Sequence, residues 1–158
     1  MKCLSVKIFV VFLSVCFFGC KDEYSICEEP KDIRFIASIY QKSGNTDILT
    51  SVPSFNLYSI QGATSIYASQ PNISSFNIPL SVILDSAKFL ISFSNSLPVD
   101  TLTIVYTSEG KTNLSPNCPP IFIHNITKAY STTNTIDSIK IINQAINASF
   151  SQNAKIYF

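Results

Sequence analysis

Residues 87–93 read AKFLISF, and residues 101–106 read TLTIVY. Ala87, Phe89, Ile91 and Phe93 fall on one face of an extended chain, and so do Leu102, Ile104 and Tyr106. Successive side chains of a strand point to opposite faces, so a period of two marks a half-buried β-strand. Phe, Ile, Val, Thr and Tyr dominate both runs, as a pleated surface favours. Ser108-Glu109-Gly110 closes the second run with turn chemistry.

The same period recurs in both directions from this pair. Ile33, Phe35, Ala37 and Ile39 share a face, and Gln41–Asp47 (QKSGNTD) reads as a turn-rich break. Phe55 and Leu57 begin a run ending at Gly62, and TSIYA (64–68) is a short strand. Phe76, Ile78 and Leu80 alternate, with Pro79 demoting that run to an edge or a strand end. Ile121 and Ile123, extended to Asn125, define one face of the next run and place His124 on the other. Ile139 and Ile141 mark another strand, and Ala154, Ile156 and Phe158 end the chain. That makes eight or nine strands. The best helix candidate, Ile136 to Phe150, is weakened by its Asn and Ser content. Without helices between strands a parallel βαβ sheet is disfavoured. The pattern predicts an all-β antiparallel β-sandwich over 33–158, immunoglobulin-like in general shape, with a lipocalin-like β-barrel as the alternative. The Trp and the paired Cys spacing of antibody domains are missing, so the likeness is architectural.

The N-terminus has a different grammar. Lys2 and Lys7 precede IFVVFLSVCFF (8–18), and Gly19-Cys20 is followed abruptly by Lys21-Asp22-Glu23. Eleven apolar-rich residues suit a signal-peptide core, whereas a membrane-spanning helix needs about 20. A small residue before Cys resembles the bacterial lipoprotein signal, in which that Cys is acylated and becomes the new N-terminus. Residues 1–19 are therefore expected to be a lipoprotein signal peptide, Cys20 the lipid attachment, and 20–32 a charged tether. An ordinary secreted protein or an uncleaved anchor is the alternative.

The chain has five Cys. Cys3 and Cys16 leave with the signal and Cys20 takes lipid, so Cys27 and Cys118 remain as a pair in an oxidising compartment. A structural disulfide is expected, with two free buried thiols as the alternative.

Composition narrows function mainly by exclusion. Charged residues are 13% of the 158, about half the usual share, and the net charge is +1. Removal of Lys2 and Lys7 leaves nine basic against ten acidic groups. No basic footprint for nucleic acid exists. His124 is the lone imidazole, which disfavours a nucleophile–base triad. Half of the acidic residues (Asp22, Glu23, Glu28, Glu29 and Asp32) lie before the first strand. No metal-ligand or phosphate-loop spacing occurs, so no metal, cofactor or catalytic residue is assigned. Four N-x-[ST] matches (Asn72, Asn113, Asn125 and Asn147) follow from a chain rich in Asn, Ser and Thr.

Several segments in order resemble a family of small Bacteroidota lipoproteins classified as a domain of unknown function. They are the lipoprotein signal, Cys27 with Pro30, the strand IRFIASIY, Asn77–Leu80 (NIPL), Asp100–Tyr106 (DTLTIVY), Ser115–Cys118 and Asn153–Phe158 (NAKIYF). Pro119 stands where that family usually has Gly after the second Cys. The resemblance implies an outer-membrane location and a fold, and no activity. Lys21-Asp22-Glu23 is similar to a surface-export signal of such lipoproteins, the alternative being a solvated linker. Asp85-Ser86-Ala87, Asp100-Thr101-Leu102 and Asp137-Ser138-Ile139 look like the O-glycosylation acceptor of the same bacteria, which makes Ser86, Thr101 and Ser138 candidate sites. The alternative is that Asp-Ser and Asp-Thr mark turns and strand starts.

The expected function is a non-catalytic binding or structural module of the cell envelope, held to the membrane by N-terminal lipid and facing a protein or glycan partner. Seven Tyr permit an aromatic contact surface, and the lack of Trp weakens a sugar-binding version. A carrier of a small apolar ligand and an enzyme using carboxylates are the alternatives.

Overall fold

The computed structural model describes residues 33–95, 98–111 and 121–158. These form eleven β-strands and no helix. The strands are β1 (Arg34–Ser43), β2 (Thr46–Leu49), β3 (Phe55–Ser59), β4 (Thr64–Gln70), β5 (Ser75–Pro79), β6 (Ser86–Ser92), β7 (Asp100–Lys111), β8 (Ile121–Ser131), β9 (Ser138–Ile141), β10 (Ala145–Ile146) and β11 (Ala154–Tyr157). Two sheets pack face to face as a β-sandwich. The five-stranded sheet runs β2-β1-β11-β9, with β5 also on β1, and the six-stranded sheet runs β10-β8-β7-β6-β3-β4. Each sheet keeps two edges, so the closed barrel is set aside.

The deciding pair sits at the centre of the larger sheet. β6 and β7 are antiparallel, with Ala87 opposite Ile104 and Phe89 opposite Leu102. Ala87, Phe89, Ile91, Leu102, Ile104 and Tyr106 are all buried, as the alternation requires. Phe35, Ala37, Ile39, Phe76, Ile78, Ala154 and Ile156 meet them from the other sheet. Phe55 anchors an aromatic cluster, with ring centroids 4.7 Å from Phe76, 5.3 Å from Tyr67 and 6.2 Å from Phe93. Such pairs add about 0.5–1.5 kcal/mol each beyond their area.

Four features depart from the sequence reading. Ser108-Glu109-Gly110 is not a turn: β7 runs on to Lys111, with Ser108 opposite His124 and Gly110 opposite Phe122. The break at 41–47 is a hairpin: β1 continues to Ser43 and β2 begins at Thr46. The last strand lies parallel to the first, with Ala37 opposite Ala154 and Tyr40 opposite Tyr157. It is the single parallel pairing among the described strands. On β8 the core face is carried by His124 and Ile126, while Asn125 is exposed. The cause is a β-bulge: Val105 pairs with Lys128, but Tyr106 pairs with Ile126, so one extra residue shifts the alternation.

The topology gives the sandwich two unlike ends. The chain enters at Ile33, and Arg34 pairs with Pro79 at the end of β5. The loop 80–85, the tip of the β7–β8 hairpin where Lys111 pairs with Ile121, and the β10–β11 loop share that end. The β1–β2 turn and the β8–β9 crossover occupy the opposite end.

Candidate binding site

The outer face of the five-stranded sheet gathers Lys42, Asp47, Lys140 and Lys155. Tyr40 of β1 follows the core residue Ile39, Lys42 lies two residues further on the same face, and Tyr157 lies opposite Tyr40 on β11. Asp47 of β2 lies opposite Lys42. On β9, Ser138 lies opposite Tyr157 and Lys140 opposite Lys155. Four strands thus converge on an open cleft of about 500 Å³, lined by Lys42, Gly44, Asn45, Asp47, Ser138, Lys140 and Tyr157. Its rim is the two-residue turn Gly44-Asn45. Gly44 has φ 61°, the positive φ that a type II′ hairpin needs at its first position.

Lys155 Nζ and Tyr157 OH both donate to Asp47 Oδ2, each at 2.9 Å. Lys155 also lies over the Tyr40 ring at 4.7 Å, and Lys42 over the Tyr157 ring at 5.1 Å. The hydrogen bond from Lys155, then that from Tyr157, holds the Asp47 carboxyl below its ordinary pKa. The same bond raises Lys155. Burial, then Asp47, raises the Tyr157 phenol. Asp47 therefore stays ionised and balances Lys155, which leaves Lys42 and Lys140 as excess positive charge around the cleft. The arrangement can bind an anionic group.

A Ser–His pair does occur elsewhere. Ser108 Oγ and His124 Nδ1 are 2.8 Å apart across β7 and β8, and the imidazole meets the Tyr106 ring edge-on at 5.3 Å. His124 is buried, and burial lowers its pKa. Among the described residues no carboxylate bonds to it, and none of the cleft-lining residues belongs to this pair. It reads as a satisfied core histidine.

Two other buried polar residues are structural. Asp100 is 1% exposed and accepts four hydrogen bonds: from Thr132 Oγ1 at 2.7 Å, Asn134 N at 2.8 Å, Thr135 N at 2.7 Å and Ile136 N at 3.0 Å. They organise the β8–β9 crossover. Burial alone would raise its pKa, but these bonds together outweigh it and hold the carboxyl below its ordinary value. Asn153 accepts from Ile36 N at 2.9 Å and donates to the carbonyls of Asn143 and Ala145, so it ties β1, β11 and the β9–β10 link together.

Ser86 opens β6, Thr101 is second in β7 and Ser138 opens β9. Ser138 is exposed, whereas Ser86 and Thr101 are half-buried. Cys20, Cys27 and Cys118 lie outside the described residues. Among the described residues, no cluster of three metal-ligating side chains occurs. The cleft escaped sequence reasoning because its residues are far apart in the chain. Its one local signal was the placing of Tyr40 next to the core residue Ile39, and of Lys155 between Ala154 and Ile156.

The family described as Family of unknown function (DUF6452) matches residues 54–158. The chain belongs to this family. No curated protein and no solved structure matches it. The DUF6452 match starts after β1 and β2, yet Phe35, Ala37 and Ile39 of β1 share the core with the matched strands. The DUF6452 chain thus builds its cleft from both parts: Lys42 and Asp47 precede the matched span, and Ser138, Lys140 and Tyr157 lie within it.

Proposed function

We propose that this protein is a lipid-anchored, non-catalytic module of a Bacteroidota outer membrane that binds an acidic saccharide in the cleft between β2, β1, β11 and β9. The observation that carries the binding role is the excess of Lys42 and Lys140 over the neutralised Asp47 in a tyrosine-walled cleft. A carboxylate would replace water at the two ammonium groups, and the open shape leaves room for sugar rings beside Tyr157.

The anchor rests on the sequence: Lys2 and Lys7, the short apolar run and Gly19-Cys20. Two or more acyl chains hold a protein at a bilayer where one does not. Cleavage before Cys20 makes residues 20–32 the tether, and Lys21-Asp22-Glu23 favours display at the cell surface. A Cys27–Cys118 disulfide fits this arrangement. Lys111 and Ile121, which flank the segment containing Cys118, lie at the end where the chain enters. In chain-entropy terms such a bridge is worth about 4 kcal/mol. O-glycosylation is best placed at Ser138, the exposed one of the three candidates.

The test is a calorimetric titration of the protein with oligogalacturonate and with the neutral galactose oligomer. The acidic oligomer should bind and the neutral one should not. Reversing Lys42 and Lys140 to Glu should weaken binding about tenfold or more, since each reversal replaces an attraction by a repulsion. Equal binding of both oligomers, or binding indifferent to the two reversals, would rule the reading out.

A further inference from the structure

Val82, Ile83 and Leu84 are consecutive and 45%, 89% and 43% exposed. Three adjacent aliphatic side chains facing water are costly unless something covers them. Their posture is built into the fold. The buried Tyr106 phenol donates to Ser81 O at 3.0 Å and accepts from Ser81 N at 3.1 Å, which pins the base of the loop. Ser81 Oγ then accepts from Ile83 N at 3.2 Å and turns the chain outward. Phe122 and Phe150 add two exposed rings at the same end of the sandwich.

That end is where the chain enters. Arg34 pairs with Pro79, so the first strand begins beside a residue only three positions before the apolar tripeptide. The residues between Cys20 and Ile33 are the whole length separating the proposed lipid from this loop. The opposite end carries the cleft with Lys42 and Lys140. One end is therefore apolar and is the end at which the tether joins, and the other is cationic.

We propose that Val82-Ile83-Leu84 inserts into the bilayer that holds the Cys20 lipid, a second membrane contact that orients the domain with its cleft pointing away. The proposal rests on the lipid-anchor reading. Three aliphatic side chains without an intervening charge can enter the headgroup–acyl boundary, while Asp85, the next residue, stays at the water side. A loop of this size does not hold the protein by itself; the lipid supplies residence and the loop supplies orientation.

The chain has no Trp, so one introduced indole reports a single position. The full acylated chain carrying Ile83→Trp, and separately Leu49→Trp on β2, is reconstituted into phosphatidylethanolamine–phosphatidylglycerol vesicles with or without brominated acyl chains. Both positions are exposed, so neither substitution disturbs the core. Emission from the indole in the loop should shift to the blue and fall by about half or more with brominated lipid, as insertion to about 5–10 Å depth requires. Emission from the indole on β2 should be the same in both vesicles. Vesicle-bound protein whose loop indole stays unquenched and in water overturns the insertion alone. A blue-shifted loop indole that bromine does not quench also overturns it, in favour of a protein surface. Protein that does not stay with the vesicles overturns the anchor reading on which the proposal rests.

Discussion

Replacing Asp100 by Asn changes almost no volume and tests what holds the β8–β9 crossover in place. The carboxylate accepts from Thr132 Oγ1 and Asn134 N on Oδ1, and from Thr135 N and Ile136 N on Oδ2. An amide presents one acceptor and one donor. Turned one way it sets its NH₂ against the amides of Thr135 and Ile136. Turned the other way it faces Asn134 N and the Thr132 hydroxyl. That hydroxyl has a second lone pair beside the one that accepts from Thr101 N at 2.9 Å, so it can reverse, but Asn134 N then still faces the NH₂ group. One orientation loses two bonds to a charged acceptor and the other loses one and exchanges a second for a neutral bond, at about 1.5–3 kcal/mol each, or about 1.5–6 kcal/mol in all. Total stabilities of domains are about 5–15 kcal/mol, so the loss is a large share. Urea unfolding of the chain from residue 21, followed by circular dichroism, measures it. The pH dependence sharpens the test. A carboxyl whose folded pKa is depressed contributes stability that is present above its ordinary pKa of 3.8 and is lost as pH falls through the folded value. The gap between the two proteins should therefore be full at pH 7 and narrow in strong acid. A gap below about 1 kcal/mol at pH 7, or one unchanged in acid, would refute the role given to these bonds.

His124 should make the protein acid-sensitive. Its folded pKa lies below the ordinary 6.5 because of burial, so stability should decline as pH falls from 6.5 toward the folded value. His124→Phe should flatten that decline, and an unaltered slope in urea midpoints between pH 7 and 5 would contradict it. Asn153→Ala removes three side-chain hydrogen bonds at a buried position and should cost about 2–4 kcal/mol. Asn153→Asp should not restore the loss, because a carboxylate cannot donate to the Asn143 and Ala145 carbonyls, and thermal melting compares the three.

Most of the core was legible because period-two alternation survives wherever a strand is buried on one face. Phe35, Ala37, Ile39, Phe89, Leu102 and Ile104 were placed inside by that rule, and all are buried. The rule failed where geometry interrupts the period. The β-bulge at Val105/Tyr106 put His124 on the core side, and no local pattern announces a bulge without glycine. β2 was hidden because Thr46–Leu49 is a hairpin arm with little burial, and its turn residues dominate its composition. The parallel pairing of β1 with β11 joins the two ends of the domain, which no local signal encodes. Asp100 and Asn153 were noticed as motif letters, and the structure gives them bonding roles rather than chemistry. The cleft was the least legible part. Lys42, Asp47, Lys140, Lys155 and Tyr157 come together only through the pairings of β1 with β2, β1 with β11 and β11 with β9, and the last two depend on the chain's final strand.

Both the cleft-outward display and the inserted loop depend on a lipid at Cys20. The direct measurement is the intact mass of the protein extracted from bacterial membranes with detergent, with fragmentation of its N-terminal peptide. The account predicts a chain that begins at Cys20, lacks residues 1–19 and carries acyl groups on that Cys. A retained signal segment, or an unmodified Cys20 thiol on protein that fractionates as soluble, would contradict it.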